Sequence, residues 1–199
     1  MRLFVALELN QKVIANLTEL LRRLRPAGVL RWVHPQNMHV TLKYIGDWPD
    51  ERLHEVTRAL SKVKMNKPVN VTLAGLGFFP NARAPRVFWV GAENVPPLRQ
   101  LASGVDAELQ ALGVPPEVRP YQPHLTLARI RPNQPLDDLH RFVEDLPSRE
   151  FGTISPDHFT LFESELTPSG PVYRRVEEFS FLLPTVEAAY ERAELAGKV

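Results

Sequence analysis

The chain has no cysteine among its 199 residues. Disulfide bonds, zinc–thiolate centres and a cysteine nucleophile are therefore excluded. No apolar run has the length that a membrane-spanning helix needs. The apolar stretch at residues 2–7 is too short, and too soon interrupted by charge, for a signal peptide. From these absences we expect a cytoplasmic protein that has no membrane partner.

Neither basic nor acidic residues are in clear excess, and the net charge is +1. This balance neither requires nor excludes a nucleic-acid partner. Among the 24 basic residues 18 are arginine, whose planar guanidinium suits two-point contacts with phosphate. With 44% hydrophobic residues, the chain can build a sizeable core, either as one domain or as two closely packed lobes.

A short pattern, His-x-Thr within an apolar run, occurs at His39 and Thr41 and again 85 residues later at His124 and Thr126. In an extended strand successive side chains alternate between faces, so each histidine shares a face with its threonine. The intervening apolar side chains can then pack on a core. Two imidazoles and two hydroxyls facing each other would suit a phosphate group, because hydroxyls donate to its oxygens and imidazoles move protons.

The sequences downstream of the two motifs are alike as well. Residues 78–80 precede a proline-rich turn and a further strand at 86–91, and residues 161–163 precede a similar turn and strand. We interpret this as an internal duplication. It predicts an α+β fold of two lobes, each an antiparallel sheet with outer helices, related by a pseudo-twofold axis around a central cleft.

The predicted domain covers residues 1–185, and a helical tail is predicted at 186–199. Apolar spacing predicts the other elements. The helices fall near 13–24, 50–64, 96–112 and 136–146, and the strands near 3–9, 30–33, 38–45, 69–79, 86–91, 123–130, 150–155, 158–166 and 172–182.

A third His-x-Thr pattern, at His158 and Thr160, lies elsewhere in the repeat and has no partner histidine. We interpret it as part of a structural strand. Strict alternation places Lys43 on the His/Thr face of its strand but Arg129 on the opposite face of the other. Arg129 would reach a phosphate only if its strand bends or its side chain turns around the strand end. Several aromatic residues are candidate base-stacking surfaces, although most are expected in the core: Phe4, Trp32, Tyr44, Trp48, Phe79 and Trp89.

No group of residues has the spacing that metal ligands usually show. Two distant histidines with hydroxyl partners also make a poor metal site. We therefore expect chemistry without a metal or another cofactor.

Taken together, these stretches resemble the 2H phosphoesterases, which are named for two His-x-Thr/Ser motifs. The resemblance is strongest to the RNA 2′,3′-cyclic phosphodiesterases, the LigT-like or 2′-5′ RNA ligase branch. It extends over roughly residues 2–182. The residues that carry it are 2–7, 37–46, 86–91, 123–129, 161–164 and 170–173.

The resemblance implies that His39 and His124 are the catalytic pair, that Thr41 and Thr126 bind phosphate oxygens, and that Arg129 lies near the phosphate. It also implies hydrolysis of terminal 2′,3′-cyclic phosphates to 2′-phosphomonoesters, and in some members the reverse joining of RNA ends through a 2′-5′ link. The expected partners are RNA with a cyclic phosphate end or a cyclic nucleotide, and we expect a monomer. We predict that His39 protonates the leaving 3′ oxygen and that His124 activates water.

Two other functions stay open on the sequence alone. The cleft could serve a non-enzymatic module that binds nucleotides or RNA, although the intact histidine pair argues against this. The enzyme could instead act on another cyclic phosphate metabolite. An RNA end needs a basic and aromatic rim, whereas a metabolite needs a closed pocket.

Overall fold

The computed structural model describes residues 1–93, 95–146, 148–168 and 170–182. The predicted helical tail at 186–199 and the predicted domain end at 185 lie outside the described residues. Short 3₁₀ turns lie at 25–27, 35–37 and 50–52. The helices are α1 (Gln11–Leu24), α2 (Leu53–Leu60), α3 (Val95–Gln110) and α4 (Asp137–Glu144). The strands are β1 (Arg2–Leu7), β2 (Arg31–Trp32), β3 (Val40–Asp47), β4 (Val71–Phe79), β5 (Val87–Glu93), β6 (His124–Arg129), β7 (Glu150–Ile154), β8 (His158–Thr167) and β9 (Gly170–Ser180).

The strands form two antiparallel sheets, as the duplication predicts. The first sheet has the order β3-β1-β8-β9, and the second has the order β2-β6-β5-β4-β7. Both contain a core of three strands that begins with a His-x-Thr strand, namely β3-β1-β8 and β6-β5-β4. This arrangement confirms the α+β fold of two related halves, and it places the third His-x-Thr pattern in β8, the counterpart of β4.

One detail of the predicted repeat is wrong. The similarity of residues 86–91 to residues 172–173 suggested that β5 and β9 are equivalent strands. In the structure β5 lies between β4 and β6, whereas β9 forms the edge of the other sheet beside β8. The strand that takes the place of β5 in the first sheet is β1. The reason is that the first sheet obtains its central strand from the beginning of the chain.

The helices cover the outer faces of the sheets, because each has one apolar stripe. Helix α1 begins at Asn10, whose side chain accepts a hydrogen bond from the backbone N–H of Val13 at 2.9 Å. It packs on β7 of the second sheet, where the Asn16 side chain donates to the carbonyl of Phe151. Helix α3 packs on β3 of the first sheet and on α2. Each inner sheet face is thereby left to the cleft.

Helix α1 packs on the second sheet and helix α3 on the first, so the two sheets share one continuous apolar core. Alternate β1 residues Leu3, Val5 and Leu7 are fully buried in it, while Phe4 and Ala6 point to the other face of the sheet. None of the helices within the described ranges is both long and apolar enough to cross a membrane.

Candidate active site

The two motif histidines occupy matching positions at the start of their strands. His39 immediately precedes β3, and His124 is the first residue of β6. The Nδ1 atom of His39 lies 2.8 Å from the carbonyl oxygen of Asn37, and that of His124 lies 2.8 Å from the carbonyl oxygen of Gln122. A carbonyl oxygen only accepts, so Nδ1 carries the hydrogen in both rings. Each Nε2 is therefore the nitrogen left to exchange protons with a ligand.

A β-bulge follows each motif threonine. In the first sheet Thr41 pairs with Ala6 and Lys43 pairs with Val5, so Leu42 is an extra residue. In the second sheet Thr126 pairs with Trp89, whereas Ala128 already pairs with Phe88. A residue inserted into one strand reverses the faces of the side chains that follow it. The alternation assumed from the sequence therefore fails after each threonine, and it fails in the same way in both halves.

The first consequence is that Lys43 does not face the cleft, and the predicted placement is wrong. Beyond the bulge its side chain points to the core side of the sheet, where it is 4% exposed. Its Nζ forms an ion pair with Asp106 of α3 at 2.5 Å and donates to the carbonyl of Pro115 at 2.7 Å. Lys43 therefore stabilises the packing of α3 on the sheet.

The second consequence is that Arg129 shares the cleft face with His124 and Thr126. It pairs with Val87, on the same side of the sheet as Trp89. Arg129 is exposed, and its positive charge adds to the effect of burial in lowering the pKa of His39. Burial raises the pKa of Tyr173, and the Arg129 charge opposes this effect. The bulge supplies the bend that the sequence analysis required for this side chain.

Both imidazoles lie against aromatic rings that face the cleft. The His39 ring lies 4.8 Å from Phe4 and 5.4 Å from Tyr173, between ring centroids. The His124 ring lies 4.9 Å from Phe79, and Phe79 lies 5.0 Å from Trp89. Edge and tilted contacts of this kind restrict ring rotation. Together with the carbonyl contacts they fix the orientation of both imidazoles.

The Trp89 indole lies flat on the second sheet because a glycine makes room for it. A Cβ atom built on Gly77 would lie 2.2 Å from the indole ring. Among the aromatic residues singled out from the sequence, Trp89, Phe4 and Phe79 belong to the cleft. Trp32 and Trp48 pack in or against the core instead.

The site lowers the pKa of His39. Burial lowers its pKa most strongly, while the Asn37 carbonyl opposes this effect. The charges of His124 and Arg129 lower the pKa further, and Glu8 raises it. The charges that act on His39 belong to His124, Arg129 and Glu8, which are far apart from it in the chain but near it in the fold.

Glu8 and its partners are the part of the site that sequence analysis missed. Its carboxylate accepts hydrogen bonds from the Thr160 hydroxyl at 3.1 Å and from the Arg175 guanidinium at 2.6 Å. Thr160 is fully buried. The third His-x-Thr pattern, which contains Thr160, is the signal that the sequence offers for this part of the site.

The same region holds a candidate metal-binding group that the residue spacing did not suggest. Ligand atoms of Glu8, His158 and Glu178 lie within 4.8 Å of one another. The Arg175 side chain forms ion pairs with Glu8 at 2.6 Å and with Glu178 at 3.8 Å. A cation at this position would therefore compete with a guanidinium that already neutralises the carboxylates.

The loop before the second motif also contacts the strand of the first motif directly. The Tyr121 hydroxyl, three residues before His124, donates to the backbone carbonyl of Thr41 at 2.8 Å. Tyr121 is largely enclosed, and burial raises the pKa of its phenol. The strands β3 and β6 also contact each other. The contact fixes the loop before the second motif to the strand of the first motif, so the separation of the two histidines is set by the fold.

Comparison with known proteins agrees with this architecture. The family model described as LigT like Phosphoesterase matches the chain twice, over residues 7–89 and 90–173, as an internal duplication predicts. The RNA 2′,3′-cyclic phosphodiesterase of Methanothermobacter thermautotrophicus is 32% identical over 180 residues, which cover 89% of this chain and 97% of the relative. The protein of the same name from Thermus thermophilus is 35% identical over 188 residues and covers 90% of both chains.

Solved structures are similar over the same extent. A crystal structure of a Thermus thermophilus protein has a TM-score of 0.76 and 33% identity, and it covers 91% of this chain and 98% of its own. The crystal structure of Escherichia coli LigT complexed with 3′-AMP shares the fold, with a TM-score of 0.75 and 23% identity over 90% of this chain and 97% of its own. The double match of the family model, together with these relatives, shows that the chain belongs to the LigT-like phosphoesterase family.

Proposed function

We propose that this protein hydrolyses 2′,3′-cyclic phosphate ends of RNA, or nucleoside 2′,3′-cyclic phosphates, to 2′-phosphomonoesters. The observation that carries the proposal is the matched pair of imidazoles. Both hold a hydrogen on Nδ1 through a backbone carbonyl at 2.8 Å, and both keep Nε2 for a ligand. The names of the relatives support the same substrate class.

The reaction needs one group that accepts a proton and one that donates it, on opposite sides of phosphorus. In the proposed mechanism His124 Nε2 takes a proton from water while the water oxygen forms a bond to phosphorus. The bond from phosphorus to the 3′ oxygen breaks, and His39 Nε2 donates a proton to that oxygen. The product carries a 2′-phosphate and a free 3′-hydroxyl. Each transfer contributes about 10²–10⁴ in rate.

The threonines and Arg129 bind the phosphate in this proposal. Thr41 and Thr126 share the cleft faces of their strands with the histidines, so their hydroxyls can donate to the non-bridging oxygens. Arg129 adds a positive charge that favours the extra negative charge of the pentacoordinate transition state. The three groups thus hold phosphorus between the imidazoles.

The lowered pKa of His39 sets a condition on the division of roles. In the free protein, burial and the nearby positive charges favour the neutral imidazole, which is the form a base needs. If His39 is the acid, as proposed, the bound phosphodiester must raise the pKa of His39 so that the imidazole is protonated in the complex. An anion between His39 and Arg129 does this, because its negative charge offsets the effect of the guanidinium. Substrate binding therefore favours the protonated form of His39 that the reaction needs.

The same groups can also catalyse ligation, in which a 5′-hydroxyl replaces water as the nucleophile, the bond from phosphorus to the 3′ oxygen breaks and a 2′-5′ linkage forms. His124 then accepts the proton of the 5′-hydroxyl and His39 donates a proton to the 3′ oxygen, as in hydrolysis. Among the open alternatives, a purely binding module would not require two imidazoles held in the same tautomer. A different cyclic phosphate would use the same machinery and differ only in the contacts beyond the phosphate.

The deciding experiment is hydrolysis of 2′,3′-cyclic AMP and of an RNA oligonucleotide with a cyclic end, in the presence of EDTA. We expect wild-type turnover to a 2′-phosphate, identified by ³¹P NMR, and its loss in both His39→Ala and His124→Ala. The surface variant His54→Ala is the matched control, since His54 is exposed on α2, and it should keep full activity.

Two results would contradict the proposal. Absence of turnover by the wild type on both substrates would leave a binding function as the better explanation. Turnover that persists in either histidine variant would show that the pair does not carry the chemistry.

A further inference from the structure

A second group of arginines lies immediately beyond the phosphate site and takes no part in the proposed chemistry. Arg83 and Arg86 belong to the turn between β4 and β5, and Arg131 follows Arg129 at the end of β6. The two segments are joined by a hydrogen bond from the backbone N–H of Ile130 to the carbonyl of Arg86 at 2.9 Å. We call the cavity between these segments the arginine groove.

The arginine groove has a volume of about 420 Å³ and is lined by residues 82–86, 130–137 and 140. This size falls within the range of about 300–1,000 Å³ that is usual for ligand sites. Three arginines and one carboxylate, Asp137, line it. Within the described part of the chain, no carboxylate lies within ion-pair distance of Arg83, Arg86 or Arg131, whereas Arg2, Arg22, Arg52, Arg141, Arg174 and Arg175 all form such pairs.

The positive charge continues from the groove onto the cleft face. Arg31 of the edge strand β2 is the direct cross-strand partner of Arg129, and both are exposed. Like charges directly opposite each other in a sheet are unfavourable unless an anion lies between them. Arg31, Arg129 and the arginine groove together carry more positive charge than one phosphate needs.

We propose that the arginine groove binds the backbone phosphates of the nucleotides that precede the cyclic end, so that this protein prefers RNA oligonucleotides over mononucleotides. The inference rests on the proposed function, because it extends the substrate outward from the phosphate between the histidines. A 2′,3′-cyclic phosphate ends its strand, so all further nucleotides lie on its 5′ side. Guanidinium groups suit their phosphates. The groove selects for single-stranded RNA by charge and length, with no requirement for sequence.

The test compares two substrates in one triple variant, Arg83→Ala/Arg86→Ala/Arg131→Ala. For a tetranucleotide with a 2′,3′-cyclic end at low salt, we expect kcat/KM to fall by about tenfold to a hundredfold, through loss of phosphate contacts. For 2′,3′-cyclic AMP we expect a change of less than about twofold, because the mononucleotide has no phosphate for the groove. The salt dependence should change too: the slope of log kcat/KM for the tetranucleotide against log salt should become shallower by about 2, at about 0.7 per lost contact.

The matched control removes three exposed arginines from the outer helices, in Arg22→Ala/Arg58→Ala/Arg99→Ala. It lowers the net charge by the same amount and should leave the preference for the tetranucleotide unchanged. Equal thermal midpoints of the two triple variants will show that both are folded. A length series on the wild type gives an independent measurement, in which kcat/KM should rise from one nucleotide to about four.

The proposal is overturned if the groove variant affects both substrates equally or neither, or if the wild type shows no length dependence. These outcomes differ from failure of the proposed function, in which the wild type would turn over neither substrate. In that case the anisotropy of a 5′-labelled tetranucleotide with a 2′-phosphate end still tests the groove. Weaker binding to the groove variant than to the control variant supports it, and equal binding overturns it.

Discussion

The two halves of the site hold their histidines in the same way and surround them differently. In both, Nδ1 is held by the carbonyl two residues earlier, and a bulge follows the threonine. After the bulge, however, corresponding positions carry different residues. Lys43 corresponds to Ala128 on the core side, and Tyr44 corresponds to Arg129 on the cleft side.

This difference separates proton transfer from charge neutralisation. The matched imidazoles give the cleft two groups of the same kind, whereas the position after the bulge carries a cationic side chain, Arg129, in the second half and Tyr44 in the first. The aromatic surroundings differ as well, with Phe4 and Tyr173 around His39, and Phe79 beside His124. A phosphodiester therefore meets different surroundings on its two sides, which favours one orientation in a nearly symmetric cleft.

The largest expected effect tests what the halves share. We expect His39→Ala and His124→Ala each to lower kcat by about 10²–10⁴-fold. The double variant should lose little more than either single variant, because the two groups act in one step. Rates are measured by product formation under saturating substrate. Fully multiplicative losses would contradict a concerted role.

The next effect concerns the core position where the halves differ. Lys43→Ala leaves Asp106 without its cation, and we expect the free energy of unfolding to fall by about 3 kcal/mol. Replacing both partners, in Lys43→Met/Asp106→Leu, should restore most of the loss. The free energies of unfolding of the single and the double variant are measured by urea unfolding.

The more exposed pair of Lys62 and Glu108, at 3.4 Å, is the matched control for this prediction. Lys62→Ala should cost less than about 1 kcal/mol because the pair is solvated. Equal losses for the two lysine variants would show that burial of the Lys43 pair has no special consequence.

The third comparison is between Arg129 and Tyr44, which occupy the corresponding cleft positions after the two bulges. Arg129→Ala should lower kcat by about 10²-fold, as loss of a transition-state charge contact does. Tyr44→Ala, at the corresponding position, should change it by less than about threefold if the first half supplies no charge contact. Arg129→Lys should retain part of the rate. Similar losses at both positions would contradict the division of roles between the halves.

The smallest effect is on the ionisation of His39. NMR titration of the free protein should give His39 a pKa below about 6.5, because burial and the charges of His124 and Arg129 favour its neutral form. Arg129→Ala should raise this pKa, and so should binding of a nucleoside 2′-phosphate. A pKa that does not respond to either change would refute the electrostatic coupling.

The same pKa predicts how stability depends on pH. The unfolded state binds the His39 proton more tightly than the folded state does, so the free energy of unfolding rises with pH between the lowered pKa and about 6.5. Below that window the contribution is constant. His39→Asn should remove this part of the pH dependence, as measured by urea unfolding at several pH values. An unchanged pH profile in that variant would assign the dependence to other groups.

The sequence predicted the elements and the repeat well, because both depend on local patterns. Strands and helices follow from apolar spacing, and the matching positions of His39 and His124 follow from the duplication. The sheet order could not be obtained in the same way, since strand partners are chosen by contacts distant in sequence. The similarity of residues 172–173 to residues 86–91 therefore suggested the wrong equivalence for β9.

Alternation was the rule that failed within the site. It assigned Lys43 to the cleft and Arg129 to the opposite face, and one inserted residue in each strand reversed both assignments. A bulge leaves little trace in a run such as residues 124–129, because a small residue such as Ala128 is compatible with either face of a strand. Glu8 was missed for a related reason, because its partners Thr160 and Arg175 come from the other end of the chain.

The exchange of elements between the halves has an evolutionary meaning. Each sheet combines strands from both repeats, with β1 and β3 beside β8 and β9 in the first, and β4 beside β6 and β7 in the second. A single repeat thus contains neither complete sheet. Fusion of a dimer whose subunits exchange strands would produce this connectivity. In such a dimer both copies of each site position are encoded once and are identical. In the single chain each position has its own codon, so one copy carries arginine at 129 and the other tyrosine at 44.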